Sequence, residues 1–439
     1  RQLQWRMAAC ACACGDPMSA LEIAQSPPIR WPGRFLASGP LWGPLAGVLL
    51  AALGPAPWGS RWHPGVLSLT HILLLGVIGN TCLGAALQFL SAAAGSRPAG
   101  GAGTWATLHA LYNIGVFALS TGLLSMEPWL LMIAASLLAI AIPGAVLAMC
   151  IGLWRGRGER LLRGTLAIPL LFWCVAAGLG VALAIGLVGY WPLSFVTVAD
   201  AHAIAGVAGT FGLLLIAAGR IVLPTLLGTA RPKPRLFFRA FLGLTLLIVM
   251  AMHSRMHAED AATQMRMVAA AMAIATALGL LALWRRARDR NRPMAAAWML
   301  GLGIAHIAAC IVAADPKRMG MAPIVSVLGF ALPLLVLSVS LEISAFLAWI
   351  DLHLRSGRGV HVPGVHLLMP DRGKWHWLAV QCVAGTLLVM LALYPSQTLA
   401  SLTGIASAVC YSLQAWVRGQ PRRNVLRFLH RSGDRPCRT

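Results

Sequence analysis

The residues of this chain best suited to chemistry are histidines set inside apolar runs. His71 stands near the front of HILLLGVIGNTCLGAALQFLSAAAG, and His202 opens HAIAGVAGTFGLLLIAAGRIVLPTLLG. Three or four residues separate each from a glycine (Gly76, Gly206), and a small-residue face follows. An ionisable group inside a membrane span is costly enough to mark a functional site by default. Imidazole is also the commonest protein ligand for haem iron and for copper. The plainer reading is that each ring donates to a backbone carbonyl and tightens helix packing. For two histidines at matched depth in matched runs, a ligand role is the expectation. Gly76, Gly79 and Gly84, with Gly206, Gly209 and Gly212, would let a helix or a flat macrocycle approach closely. His306, in the outer half of a later run, is expected as a third cofactor-facing imidazole.

A second cluster is MAMHSRMH, Met250 to His257. His253 and His257 share a helix face, and Met252 and Met256 add thioethers. That mixture suits Cu(I) better than zinc or magnesium, although methionine is also a common apolar filler. Arg220 and Glu342 lie toward the inner ends of two long runs. An unpaired charge there is expensive, so a mutual pair is expected. It would be a proton or ion relay, or a structural pair reaching for the inner surface.

These side chains need a scaffold, and composition names it. The chain has 439 residues, 58% hydrophobic and 11% charged, with mean hydropathy +0.75. No soluble core hides that much apolar surface, so the expected class is all-α, a polytopic membrane protein. A span needs roughly 20 apolar residues. Twelve runs qualify, at 35–56, 65–93, 103–125, 128–153, 164–189, 195–227, 236–254, 263–284, 294–314, 320–350, 375–394 and 397–417. With both termini in the cytoplasm, 29 of the 35 Lys and Arg fall on the inner side and 5 on the outer, with Arg220 inside a span. That asymmetry fixes the orientation. It also accounts for the net charge of +22 without nucleic acid. Lipid is the expected partner, and a membrane partner subunit stays open.

The spans divide into three groups of four. The second, sixth and tenth are the long members and run in the same direction. Aligning them places Gln88, Ile221 and Glu342 at one depth, and Val325 at the depth of His71 and His202. Residues 1–30 are expected to be a disordered, partly vestigial tail, with Met18 as the true start and no metal on Cys10, Cys12 and Cys14. Residues 31–418 form the membrane domain and 419–439 a basic cytoplasmic tail. The remaining cysteines show no paired spacing that indicates disulfides. The phosphate-binding glycine loop, the nucleophile elbow and the zinc-protease helix are all missing from the sequence.

Twelve spans in three fours, with a histidine in spans two and six near the outer side, resemble the haem-copper oxidase catalytic subunit. The closer resemblance is to the NnrS family of haem- and copper-containing bacterial membrane proteins linked to nitric oxide stress. HILLLG (His71 to Gly76), GRIVLP (Gly219 to Pro224) and EISAFLAWIDLH (Glu342 to His353) carry it. The chain departs from the oxidases in lacking histidines on span ten and adjacent histidines on span seven, and has Ile72 where the family carries an acid. The resemblance implies a bacterial-type inner-membrane protein binding haem, copper or both, and excludes a two-haem terminal oxidase. Two other classes stay open: a secondary transporter using Arg220 and Glu342, and a membrane scaffold or assembly protein.

Overall fold

The computed structural model describes residues 26–189, 194–229, 232–257, 261–286, 292–315, 320–356 and 362–433. There is no strand among them. Inside lipid, backbone N–H and C=O groups have no water to turn to, so apolar runs of this length close their hydrogen bonds within one helix.

Among the described residues, eleven helices are long and apolar enough to cross a membrane. They are α1 (Arg30–Leu53), α2 (64–94), α3 (Ala102–Ser125), α4 (Pro128–Arg155), α5 (Arg160–Leu187), α6 (195–227), α7 (Pro234–His257), α8 (Ala261–Arg286), α9 (Pro293–Ala314), α10 (Met321–Arg355) and α11 (Asp371–Leu393). The twelfth run lies in α12 (Gln397–Gly433), which carries more Ser, Thr and Gln and falls outside that set. It nevertheless packs along α1. The crossing is made by glycines: a Cβ on Gly47 would sit 2.5 Å from the Gly404 carbonyl oxygen, and one on Gly404 would sit 2.4 Å from that of Gly47. The first and last spans are thus neighbours. Beyond the span, α12 stays helical to Gly433. Val425 explains this, since it is buried against Leu352 and Leu368 and anchors the amphipathic extension.

Three of the twelve helices share a device. α2 is α-helical over Pro64–His71, π-helical over Ile72–Gly79 and α-helical again over Asn80–Ala94. α6 repeats it with a π segment at Ile204–Gly212, and α10 with one at Ser326–Ala331. The Asn80 N–H reaches the Leu75 carbonyl and the Leu213 N–H that of Ala208, each five residues back. The segments begin one residue after His71, two after His202 and one after Val325, so the second helix of each group of four is built alike. π segments are rare and occur mostly at functional sites.

Burial separates inner helices from outer ones. In α2 and α10, 61% of the central window is buried, against 11% in α7 and 17% in α8. The last two therefore present apolar sides such as Leu246, Leu247, Ile274 and Leu278 outward, as lipid-facing helices do. Between α1, α2 and α3 the core is polar. Trp42 Nε1 and Asn80 Nδ2 both donate to Asn113 Oδ1, Asn113 Nδ2 returns a bond to Asn80 Oδ1, and Ser38 meets His109 Nε2 at 2.8 Å.

Candidate cofactor site

The end of α2 that leads into its π segment brings His71 against His202 of α6. The ring centres are 6.2 Å apart and the planes 24° from parallel. His71 Nδ1 is 2.7 Å from the Leu67 carbonyl, one turn back on its own helix. His202 Nδ1 is 2.9 Å from the Ala176 carbonyl on α5. A backbone carbonyl accepts only, so each Nδ1 carries the proton and each Nε2 keeps its lone pair. Both rings line one cavity of about 410 Å³, and all three π segments contribute to its wall, through Leu73, Val207 and Leu328 among others. The lining is mostly Leu, Ala and Val, with Trp173 and Phe211 in edge contact at 5.6 Å. Such a cavity is within the usual size range for a small-molecule site.

The glycines divide between two jobs. A Cβ on Gly76 would strike Trp42 at 2.7 Å, on Gly79 the Tyr112 hydroxyl at 2.2 Å, and on Gly209 the Phe172 ring at 2.3 Å. Gly84 is likewise closed by Leu36 and the Pro32 carbonyl, and Gly212 faces its own helix at Val207. All but Gly212, where a Cβ would make an ordinary 3.4 Å contact, serve packing. Gly206 lines the cavity and meets only Ala176 Cβ, at 3.9 Å, so it leaves room for a flat ligand.

An acidic residue that sequence reasoning passed over closes one end of the cavity. Asp200 is 8% exposed and uses both oxygens: Oδ1 accepts from Arg61 at 2.7 Å, and Oδ2 accepts from Arg255 at 2.8 Å. Arg61 also lies over Trp62, 4.4 Å from the ring centre. The signal was available. A lone aspartate two residues before a histidine in an apolar run requires a cation, and the nearest candidates lay in the flanking loops.

The other proposed residues lie elsewhere. His306 does not line the cavity. Its Nδ1 faces the Ala273 carbonyl of α8 at 3.0 Å and the Thr276 hydroxyl at 3.2 Å. His253 and His257 stack at 4.4 Å on an exposed face of α7 with Met256 exposed beside them, whereas Met252 turns to the core. The four side chains therefore divide between two faces, since neighbours in sequence stand about 100° apart on a helix. Among the described residues, no group of three or more His, Cys, Asp or Glu converges as a metal site. Cys10, Cys12, Cys14 and Met18 lie outside the described residues.

The expected Arg220–Glu342 pair is not formed. Arg220 holds both oxygens of Glu159, at 2.9 and 3.1 Å, and Glu342 accepts from Lys374 at 2.6 Å. Each charge finds its partner inside its own group of four. Equal depth in aligned helices says nothing about azimuth, and a desolvated charge takes the nearest counter-ion.

The chain matches no protein-family model and no curated protein.

Proposed function

We propose that this is an NnrS-like integral membrane protein that binds haem between His71 and His202, in nitric oxide or respiratory metal metabolism. The observation that carries the reading is the paired imidazole geometry. His71 and His202 would hold the iron, each through the ring nitrogen that its carbonyl bond leaves free. The spacing here is 6.2 Å with near-parallel planes. The donor set suits the group as well. Both Nδ1 atoms are committed to carbonyls, which is how second-shell bonds orient metal-binding histidines. Haem, when bound, supplies a one-electron iron couple.

The chain's own residues do the rest. The Leu67 and Ala176 carbonyls fix tautomer and ring orientation. The apolar walls keep water out. The Arg61–Asp200–Arg255 cluster closes one end with a net positive charge. The His253–His257 pair offers copper two imidazoles on an exposed face, and copper there belongs to the same proposal. The charge asymmetry supports a bacterial-type inner membrane with both termini cytoplasmic.

Purified protein tests this directly, by oxidised and dithionite-reduced absorption spectra with iron and copper analysis of the same sample. The expected result is a Soret band that shifts on reduction. It should fall below about a tenth of its height in His71→Ala and in His202→Ala, because each variant removes a ligand. A featureless visible spectrum, under conditions that fully load a known haem protein, sinks the reading.

Secondary transport is the second reading, and one observation favours it. Lys374 is 6% exposed and is held by Glu342 and Asp371. Buried ionisable groups in spans commonly mark proton and ion pathways. Solute uptake abolished by Glu342→Gln, in protein without haem, would favour transport.

A further inference from the structure

The cavity has a second wall that takes no part in the histidine pair. α1, α10, α11 and α12 supply it, and no lining residue from these helices is charged. Three polar side chains there stand out. Gln381 of α11 is 2% exposed, and its Oε1 accepts the Cys410 thiol at 3.1 Å. That engages the amide oxygen, its Nε2 has no partner among the described residues, and the side chain lines the cavity. Tyr411 of α12 is 6% exposed and lines the same space, with its hydroxyl in no hydrogen bond among the described residues. Ser407 lies one turn earlier on α12. Nearby hydroxyls bond back to their own helix, as Thr403 does to the Leu399 carbonyl at 2.6 Å, but the Ser407 hydroxyl does not.

A buried polar group without a partner costs about 1–3 kcal/mol. Two buried polar side chains and a half-buried hydroxyl, all lining one apolar wall and lacking a partner there among the described residues, indicate a ligand that satisfies them. Their chemistry limits what that ligand is. A tyrosine hydroxyl, a serine hydroxyl and a carboxamide N–H₂ can all donate. No cation or carboxylate accompanies them, so the ligand is neutral and offers acceptor oxygens. The remainder of the wall is Leu50, Val325, Leu328, Ala384 and Leu388, so its body is apolar. Donors come from two helices, which suits a flat molecule with carbonyl oxygens at separate positions.

We propose that this wall binds a neutral, membrane-soluble quinone, with Tyr411, Ser407 and Gln381 donating to its carbonyl oxygens. This wall and the histidine pair line one cavity, but the proposal rests on the wall's own donors and not on the histidines. The histidines alone supply metal ligands, and this wall alone supplies neutral donors.

The test uses the full chain in detergent and a decyl-substituted benzoquinone as probe. Retention of the quinone by immobilised protein is read by its ultraviolet absorbance against empty micelles. Saturable binding is expected. Removing one donor should weaken it about fivefold in Tyr411→Phe, and removing two should weaken it more than tenfold in Tyr411→Phe with Gln381→Leu. His71→Ala should bind as the unaltered protein does. Tyr411→Phe loses no intramolecular bond, so its thermal midpoint should be unchanged and a folding defect is separated from a binding one. Absence of saturable binding by folded protein overturns the proposal, as does binding indifferent to both variants. Binding lost only in His71→Ala overturns it too, because the quinone would then sit at the histidine wall.

Discussion

A histidine inside an apolar helix has two nitrogens to account for, and here the two halves of each ring have different fates. The Nδ1 atoms of His71 and His202 meet carbonyls, as purely structural histidines would. The Nε2 atoms are left free of those bonds, on rings that line a cavity, as ligands would be. Packing and ligation are therefore successive parts of one arrangement, because a ring must be held before it can present a lone pair. Asp200 shows the same economy with charge, one carboxylate holding two guanidiniums from different segments. Asp200→Asn leaves both arginines with a neutral partner. We expect a loss of about 2 kcal/mol, since bonds to charged groups are worth roughly 1.5–3 kcal/mol. SDS titration in mixed micelles measures it. The charged residues also give a coupling test. Glu342 and Lys374 are in contact, so the two single substitutions to Gln and Met should be non-additive. Glu342→Gln and Arg220→Gln touch different partners and should add to within about 0.5 kcal/mol.

At the scale of elements, glycine position decides between two outcomes of one substitution. Gly47 and Gly404 bring α1 and α12 so close that an added Cβ would meet backbone oxygen. Backbone cannot swing aside as a side chain can, so Gly47→Ala should destabilise the protein by about 1–3 kcal/mol. Gly206→Ala meets nothing closer than 3.9 Å. It should leave stability unchanged and reduce haem loading, because its methyl group enters the cavity. Thermal unfolding and Soret absorbance of the two variants separate these effects. The π segments were not legible in the sequence. HILLLGVIG reads as ordinary apolar helix, and the shift from an i−4 to an i−5 bond depends on what packs around it: Tyr112 donates its hydroxyl to the Leu75 carbonyl from α3 at 2.9 Å. The alignment that put Val325 level with the two histidines did locate where the third segment begins.

For the whole molecule, the order of the chain is nearly the order of neighbours. α3 packs on α4, α4 on α5, α8 on α9 and α11 on α12, and α12 returns to α1. α2 and α10 lie deepest and α7 and α8 face outward. The proposed orientation yields a prediction at this scale. Ser60 and Gly158 lie at opposite ends of the bundle, in loops one and four spans along. Ser60→Cys should be labelled by an impermeant thiol reagent from outside intact cells, and Arg157→Cys, in the same loop as Gly158, only after the cells are opened. The reverse pattern would invert the topology.

The sequence alone determined the class, the number of long apolar runs, the uneven distribution of basic residues and the candidate imidazoles. Each of these follows from local composition or one-dimensional spacing, because a bilayer imposes length and polarity on every span separately. Only the tertiary structure decided which polar groups meet. Helix azimuth and the order of packing brought His71 to His202 and turned His306 of α9 toward α8. They gave Arg220 to Glu159 and Glu342 to Lys374, and turned Tyr411 and Gln381 onto one wall. Those outcomes depend on rotations about helix axes, and in lipid such rotations are set by the fit between neighbouring helices.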